Sequence, residues 1–176
     1  MRVLGVDPGS RATGWALVTF APAPALEAAG VLRPPTGGFG TRLLFLRDGL
    51  AAVIREWRPD AASVERVFAG VNPMSLIALG EARGVLLVAL AEAGVPVAEV
   101  TPAEVKRSVT GTGAAGKEQV RRMVTALLGR RLPLDASDAA AAALAHGFVA
   151  APRAVSRPVA RPLSAPARDW RRKPSG

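Results

Sequence analysis

Four carboxylates have the residue types and placements to do chemistry: Asp7, Glu65, Asp135 and Asp138. Asp7 ends the apolar run Val3-Leu4-Gly5-Val6, and Glu65 ends a second run, Ala61-Ala62-Ser63-Val64. Asp135 and Asp138 open an alanine-rich stretch with helical character. At that spacing they lie on one helix face, with Cβ atoms roughly 5–6 Å apart. Taken singly, each has a plain structural explanation. Asp135 after Pro133-Leu134 fits a helix cap and Asp138 favours the positive end of a helix dipole. Asp7 before Pro8-Gly9 fits a turn, and Glu65 fits a surface charge on an edge strand. Taken together they fit something else. Carboxylates at buried strand ends are costly unless positive charge shares the site, and a divalent cation would relieve that cost for all four. Oxygen-only donors suit magnesium or manganese. With two such ions about 4 Å apart, one activates a water and the other stabilises a leaving oxygen, as phosphodiester hydrolysis requires. No histidine pair, serine triad or cysteine nucleophile competes for the chemistry.

The elements that must carry these acids can be read from periodicity and punctuation. Met1–Asp7 reads as a strand with a turn at Pro8-Gly9-Ser10, and Thr13–Phe20 and Leu26–Leu32 read as two more. Leu43, Leu46, Leu50, Val53, Ile54 and Trp57 recur at helical spacing, which predicts a helix over 41–57. Pro59-Asp60 ends it and a short strand leads to Glu65. Asn72-Pro73 is a helix start, and that helix runs to about Glu92 before Gly94. Its Gly80 and Gly84 share a face that suits either tight packing on the sheet or a helix–helix contact between two copies. Val95–Val100 reads as a strand, short helices follow Thr101-Pro102 and Gly116, and a last helix covers 135–149. Three consecutive strands followed by alternating units predict an α/β fold, a mixed sheet with helices on both faces.

Composition narrows the class. With 176 residues, 49% of them hydrophobic, the chain can bury one domain core. It has no cysteine, which excludes disulfides and thiolate zinc sites. No uninterrupted apolar run reaches the roughly 18 residues of a membrane span. The best candidate, Val85 to Ala91, stops at Glu92, and the N-terminus lacks the regions of a signal peptide. A soluble cytoplasmic protein is expected. The net charge is +9, but residues 151–176 hold seven of the 23 basic residues against one acid, Asp169. Residues 1–150 therefore carry only +3. The organisation expected is one domain over 1–150 and a basic, Pro/Arg-rich disordered tail over 151–176, the latter suited to phosphate-bearing partners.

At this point the motifs carry a family resemblance. Leu4-Gly5-Val6-Asp7-Pro8-Gly9-Ser10-Arg11-Ala12-Thr13-Gly14 resembles the N-terminal signature of the RuvC Holliday-junction resolvases, and Val64-Glu65-Arg66-Val67-Phe68 their second acidic motif. Ala82-Arg83-Gly84, Val105-Lys106, Gly111 through Lys117 and Asp135-Ala136-Ser137-Asp138-Ala139 match the rest in order and spacing. The likeness covers about residues 2–150. It implies an RNase H-like fold, a homodimer, and paired nicks in four-way junction DNA during recombination and repair. It also implies that Asp7, Glu65, Asp135 and Asp138 are the catalytic acids and hold two Mg2+ or Mn2+ ions. Lys106 and Lys117 would contact phosphate or stabilise transition-state charge. Phe68 would stack on unpaired bases at the crossover. RuvA and RuvB, the branch-migration proteins, are the implied partners. The competing readings are a nuclease of the same fold acting on RNA or RNA–DNA hybrid, and a module that binds branched DNA without cutting it.

Two further features look functional. Gly111 to Lys117 satisfies most of a phosphate-binding P-loop, but Glu118 stands where Ser or Thr should hold magnesium. Asp7-Pro8-Gly9-Ser10 is similar to the first phosphate loop of actin-like ATPases, which need two such domains where this chain has room for one. His146, the sole histidine, lies eight positions after Asp138, about 12 Å along a helix, and reads as structural.

Overall fold

A computed structural model describes residues 1–66 and 72–150. Its elements are β1 (Arg2–Asp7), β2 (Thr13–Phe20), β3 (Pro24–Leu32), α1 (Phe39–Trp57), β4 (Ala61–Glu65), α2 (Pro73–Glu92), β5 (Val97–Val100), α3 (Pro102–Thr110), α4 (Lys117–Leu128) and α5 (Leu134–Ala150). The strands form one sheet in the order β3-β2-β1-β4-β5. The β1–β2 and β2–β3 pairs are antiparallel, as short turns between consecutive strands allow. The β1–β4 and β4–β5 pairs are parallel, with helices as crossovers. The mixed sheet expected from the order of elements is therefore present.

The period-2 alternation of the strands decides which helix meets which residue. Leu4 and Val6 of β1, Leu17 of β2, and Ala62 and Val64 of β4 point into the core shared with α1 and α2. Val3, Ala16 and Val18 point into the opposite core, with α3, α4 and α5. Asp7 is in step with Val3 and Gly5, and Glu65 is out of step with Ala62 and Val64. Both acids therefore project toward the α5 face.

On that face α5 lies directly on β1 and β2. Two strand glycines permit the approach. A Cβ built on Gly5 would collide with the carbonyl oxygen of Ala139 and stand 2.9 Å from the Ala143 nitrogen. One on Gly14 would collide with the carbonyl oxygen of Asp135 and stand 2.9 Å from the Ala136 nitrogen. The helix answers with small side chains: Ala136, Ala139, Ala140 and Ala143 are fully buried.

Smaller elements also follow from local chemistry. Asn72 Oδ1 accepts from the Met74 amide at 2.9 Å, the expected start of α2. Thr101 and Glu104 form a reciprocal capping box on α3. Arg83 of α2 reaches Glu99 of β5 at 2.9 Å, tying that helix to the sheet edge. Several boundaries differ from the sequence reading: α1 begins at Phe39 and β5 at Val97, and two other shifts bear on the site face. β3 begins at Pro24 because the β2–β3 ladder continues to the Phe20↔Pro24 pair. α5 begins at Leu134, so Asp135 sits inside the first turn and does not cap it.

α2 is long and apolar enough to cross a membrane by length and composition. It does, however, carry Glu81 and Arg83 mid-helix and buries Ala82, Leu86, Ala89 and Leu90 in the α1-side core.

Gly14→Ala should destabilise the domain by about 1–3 kcal/mol, because the atoms in the way are backbone and cannot swing aside. Urea denaturation of this variant beside Gly80→Ala, where an added methyl meets nothing within 4 Å, checks it. Equal midpoints for the parent and Gly14→Ala would show that α5 is not held against the strand as described.

Candidate active site

Asp7 and Glu65 end neighbouring strands at the same edge of the sheet. Val6 pairs with Val64, and Asp7 and Glu65 are the next residues on each strand. Across β1, Asp7 pairs with Gly14, whose missing side chain makes room for Asp135 of α5. One turn further along α5 is Asp138. The two strand ends and the helix start thus converge, each of the four acids partly buried.

The acids share one electrostatic field. Burial pushes the Asp7 carboxyl up to about 7, and the charges of Asp138, Glu65 and Asp135 push it the same way, while Lys117 opposes. Glu65 is raised by burial and by Asp138, against Lys117 and Lys106. Asp138 is raised by burial, opposed by Arg121 and Lys117. Among the described residues, no three His, Cys, Asp or Glu side chains stand close enough together to ligate one ion as placed. The cluster is a set of mutually repelling carboxylates rather than a closed ligand shell. Its donor set still fits a hard divalent cation: four oxygen ligands, partly buried, holding charge at a cost that a cation offsets.

Cations surround the acids from three elements. Lys106 sits mid-way along α3, and Lys117 is the first residue of α4. Gly111 ends α3 in the left-handed conformation, φ 81°, and starts the loop that brings Lys117 within the field of Asp7, Glu65 and Asp138. A helix rather than a strand precedes this loop, which removes the P-loop reading. Arg121 lies one turn beyond Lys117. From the sheet, Arg33 follows β3 and reaches Asp135 Oδ2 at 3.4 Å.

The structure brings together six residues singled out in the sequence, the four acids with Lys106 and Lys117. Phe68 lies outside the described residues, as does the tail over 151–176. His146 is half-buried on α5 with its pKa lowered by burial alone, and no acid of the cluster acts on it. Arg121, Arg33, Gly5 and Gly14 were missed. A glycine inside a strand is itself a sign of close backbone approach, and Arg121 falls four residues after Lys117 on the same helix face. Arg33 had no periodic signal.

The fold and the site define a class, an RNase H-like α/β domain with a nuclease-type carboxylate cluster at its sheet edge. Comparison with known proteins agrees. The family model for crossover junction endodeoxyribonuclease RuvC matches residues 3–146. The crossover junction endodeoxyribonuclease RuvC of Alkalilimnicola ehrlichii is 49% identical over 150 residues, covering 82% of this chain and 90% of the relative. That of Sorangium cellulosum is 46% identical over 169 residues, covering 92% and 94%. The solved structure of T. thermophilus RuvC in complex with Holliday junction substrate aligns with a TM-score of 0.80 at 35% identity, covering 85% of this chain and 94% of that one. The yeast mitochondrial Holliday junction resolvase Ydc2 shares the fold at a TM-score of 0.56 and 13% identity. This chain belongs to the RuvC family of crossover junction endodeoxyribonucleases.

The raised Asp7 carboxyl has a consequence for stability. An acid whose folded pKa lies above its unfolded value stabilises the fold when protonated and destabilises it when ionised. Metal-free protein should therefore lose stability as pH rises from about 4 to about 7, with no further loss from this group above that. Asp7→Asn should melt higher than the parent at pH 8 in EDTA, by on the order of 1–4 kcal/mol, and close to it at pH 4. Saturating Mg2+ should raise the parent's melting temperature more than the variant's. An Asp7→Asn protein less stable than the parent at pH 8 in EDTA would contradict the electrostatic account.

Proposed function

We propose that this chain is a structure-selective endonuclease that resolves four-way (Holliday) DNA junctions by paired, metal-dependent nicks in homologous recombination and repair. The observation that carries this reading is the convergence of Asp7, Glu65, Asp135 and Asp138 on one sheet edge, within the field of Lys106 and Lys117. The four acids are the catalytic and metal-holding residues. Two Mg2+ or Mn2+ ions, when bound, supply water activation and stabilisation of the leaving oxygen. The chain's own part is to fix the acids on two strands and a helix, and to set lysine charge where phosphate charge develops. In the hydrolysis, a water oxygen forms a bond to phosphorus and the bond to the 3′ oxygen breaks. The products are a 5′-phosphate and a 3′-hydroxyl, which a ligase can rejoin. Phe68, the last residue of the Glu65 motif, stacks on bases at the crossover, a contact typically worth about 1–3 kcal/mol.

A two-fold substrate calls for a two-fold enzyme, and α2 offers the surface for one. Met74, Ile77 and Val88 are 71%, 55% and 51% exposed. On the same helix, an added Cβ at Gly80 or Gly84 would meet nothing within 4 Å, so tight packing on the chain's own sheet does not explain these glycines. A second copy crossing here would bury the apolar strip and set two active sites at a fixed spacing. That spacing selects a junction over linear duplex. The enzyme works in the cytoplasm, with RuvA and RuvB branch-migration proteins as partners. The basic tail over 151–176 adds sequence-independent DNA affinity that weakens with salt.

Two experiments test the reading. Four-way junction, linear duplex and RNA–DNA hybrid, each labelled on individual strands, are incubated with Mg2+ or Mn2+. Symmetric, ligatable nicks in the junction alone, lost in Asp7→Asn, are expected. Preferred cutting of hybrid would favour a different nuclease of this fold, and binding without cutting would leave a junction-binding module. For the dimer, light scattering should report twice the monomer mass for the parent and a shift toward monomer for Ile77→Glu. An unchanged mass would place the interface elsewhere.

A further inference from the structure

The Lys106, Lys117 and Arg121 charges act on Asp7, Glu65 and Asp138, and all three come from α3 and α4. Asp135 has a different partner. Arg33 leaves the sheet directly after β3, whose last residue, Leu32, pairs with Thr13. The neighbouring Gly14 pairs with Asp7. Arg33 therefore emerges at the same sheet edge as the acids. Pro34 follows it and biases its backbone toward the extended conformation.

The contact this produces is a weak one. A single guanidinium nitrogen, Nη2, stands 3.4 Å from Asp135 Oδ2, and the Arg33 side chain is 61% exposed. A bidentate pair would bind more tightly and leave less of the fork free. As a structural ion pair, an exposed contact of this kind contributes little. Among the described residues the other guanidinium donors have no hydrogen-bond partner, and they lie at the rim of the carboxylate cluster, where a phosphate of the bound strand must lie if the acids are to act on it.

We infer that Arg33 is a further substrate-contacting catalytic residue, held loosely on Asp135 in the metal-free protein and donating to a non-bridging oxygen of the phosphate being cut. This rests on the nuclease reading above. A cation held by Asp135 would compete with the guanidinium for that carboxylate, and loading the acids would then free Arg33 for the substrate. The two roles make opposite demands on one side chain, which separates them experimentally. Removing Arg33 should ease metal binding at Asp135 while slowing the cut.

The test uses the full chain with Arg33→Ala and Arg33→Lys. Two quantities are read: Mn2+ affinity without DNA, by calorimetry, and single-turnover cleavage of a four-way junction at saturating enzyme and metal. Arg33→Ala should bind Mn2+ as tightly as the parent or up to a few-fold more tightly, and cleave about 10- to 100-fold more slowly. Arg33→Lys should recover part of the rate, since it restores charge without the planar fork. Parent-like cleavage by Arg33→Ala would overturn the inference while leaving the nuclease reading intact. Slow cleavage accompanied by several-fold weaker Mn2+ binding would also overturn it, because Arg33 would then act only by positioning Asp135. A parent protein that fails to cut the junction would instead strike the nuclease reading itself.

Discussion

The close seating of α5 on β1 and β2 is the contact on which the rest of the molecule depends. Gly5 and Gly14 leave no side chain between helix backbone and strand backbone, and the alanines of α5 keep the gap narrow. This brings the first turn of the helix level with the ends of β1 and β4. Asp135 and Asp138 then meet Asp7 and Glu65 without any long loop having to order itself. Sites built on regular elements hold their geometry better than sites built on loops. Four acids from three elements therefore depend on two absent methyl groups.

That geometry is expensive for the isolated protein. Burial and mutual repulsion raise Asp7, Glu65 and Asp138 together, so the fold carries an electrostatic load that a cation would relieve. The surrounding cations offset only part of it, since Asp7 is still pushed up to about 7 with Lys117 in its field. Stability given up at a site of this kind is a common trade for function. Charge location matters for the same reason. Residues 1–150 are close to balanced at +3, and Lys106, Lys117 and Arg121 stand in the field of the acids.

Much of this was legible in the sequence because strands and amphipathic helices announce their periods. The apolar runs before Asp7 and Glu65, the helical spacing of Leu46, Leu50 and Val53, and the Asn72-Pro73 start all correspond to elements in the structure. The i, i+3 spacing of Asp135 and Asp138 gave their common face. Register and packing were less visible. Asp135 looked like a cap because Pro133 precedes it by two, yet the helix already includes Leu134. Gly111 to Lys117 mimicked a phosphate loop because glycine content alone does not distinguish a strand–loop–helix from a helix–loop–helix. Arg33 approaches Asp135 across 102 positions of sequence, a distance closed by the antiparallel β2–β3 pairing together with the seating of α5 on β2. The face of Gly80 and Gly84 was ambiguous in the sequence between sheet and partner, and the space around each glycine is open in the chain itself.

The seated helix brings Asp135 and Asp138 beside Asp7 and Glu65, the proposed metal site. Crystals of the protein soaked in Mn2+, with anomalous difference maps at the manganese edge, test it most directly. Anomalous peaks are expected within ligand distance of Asp7, shared with carboxylates from β4 and α5. Peaks confined to other acidic surface residues, with Asp7 and Asp138 left unligated at saturating Mn2+, would contradict it.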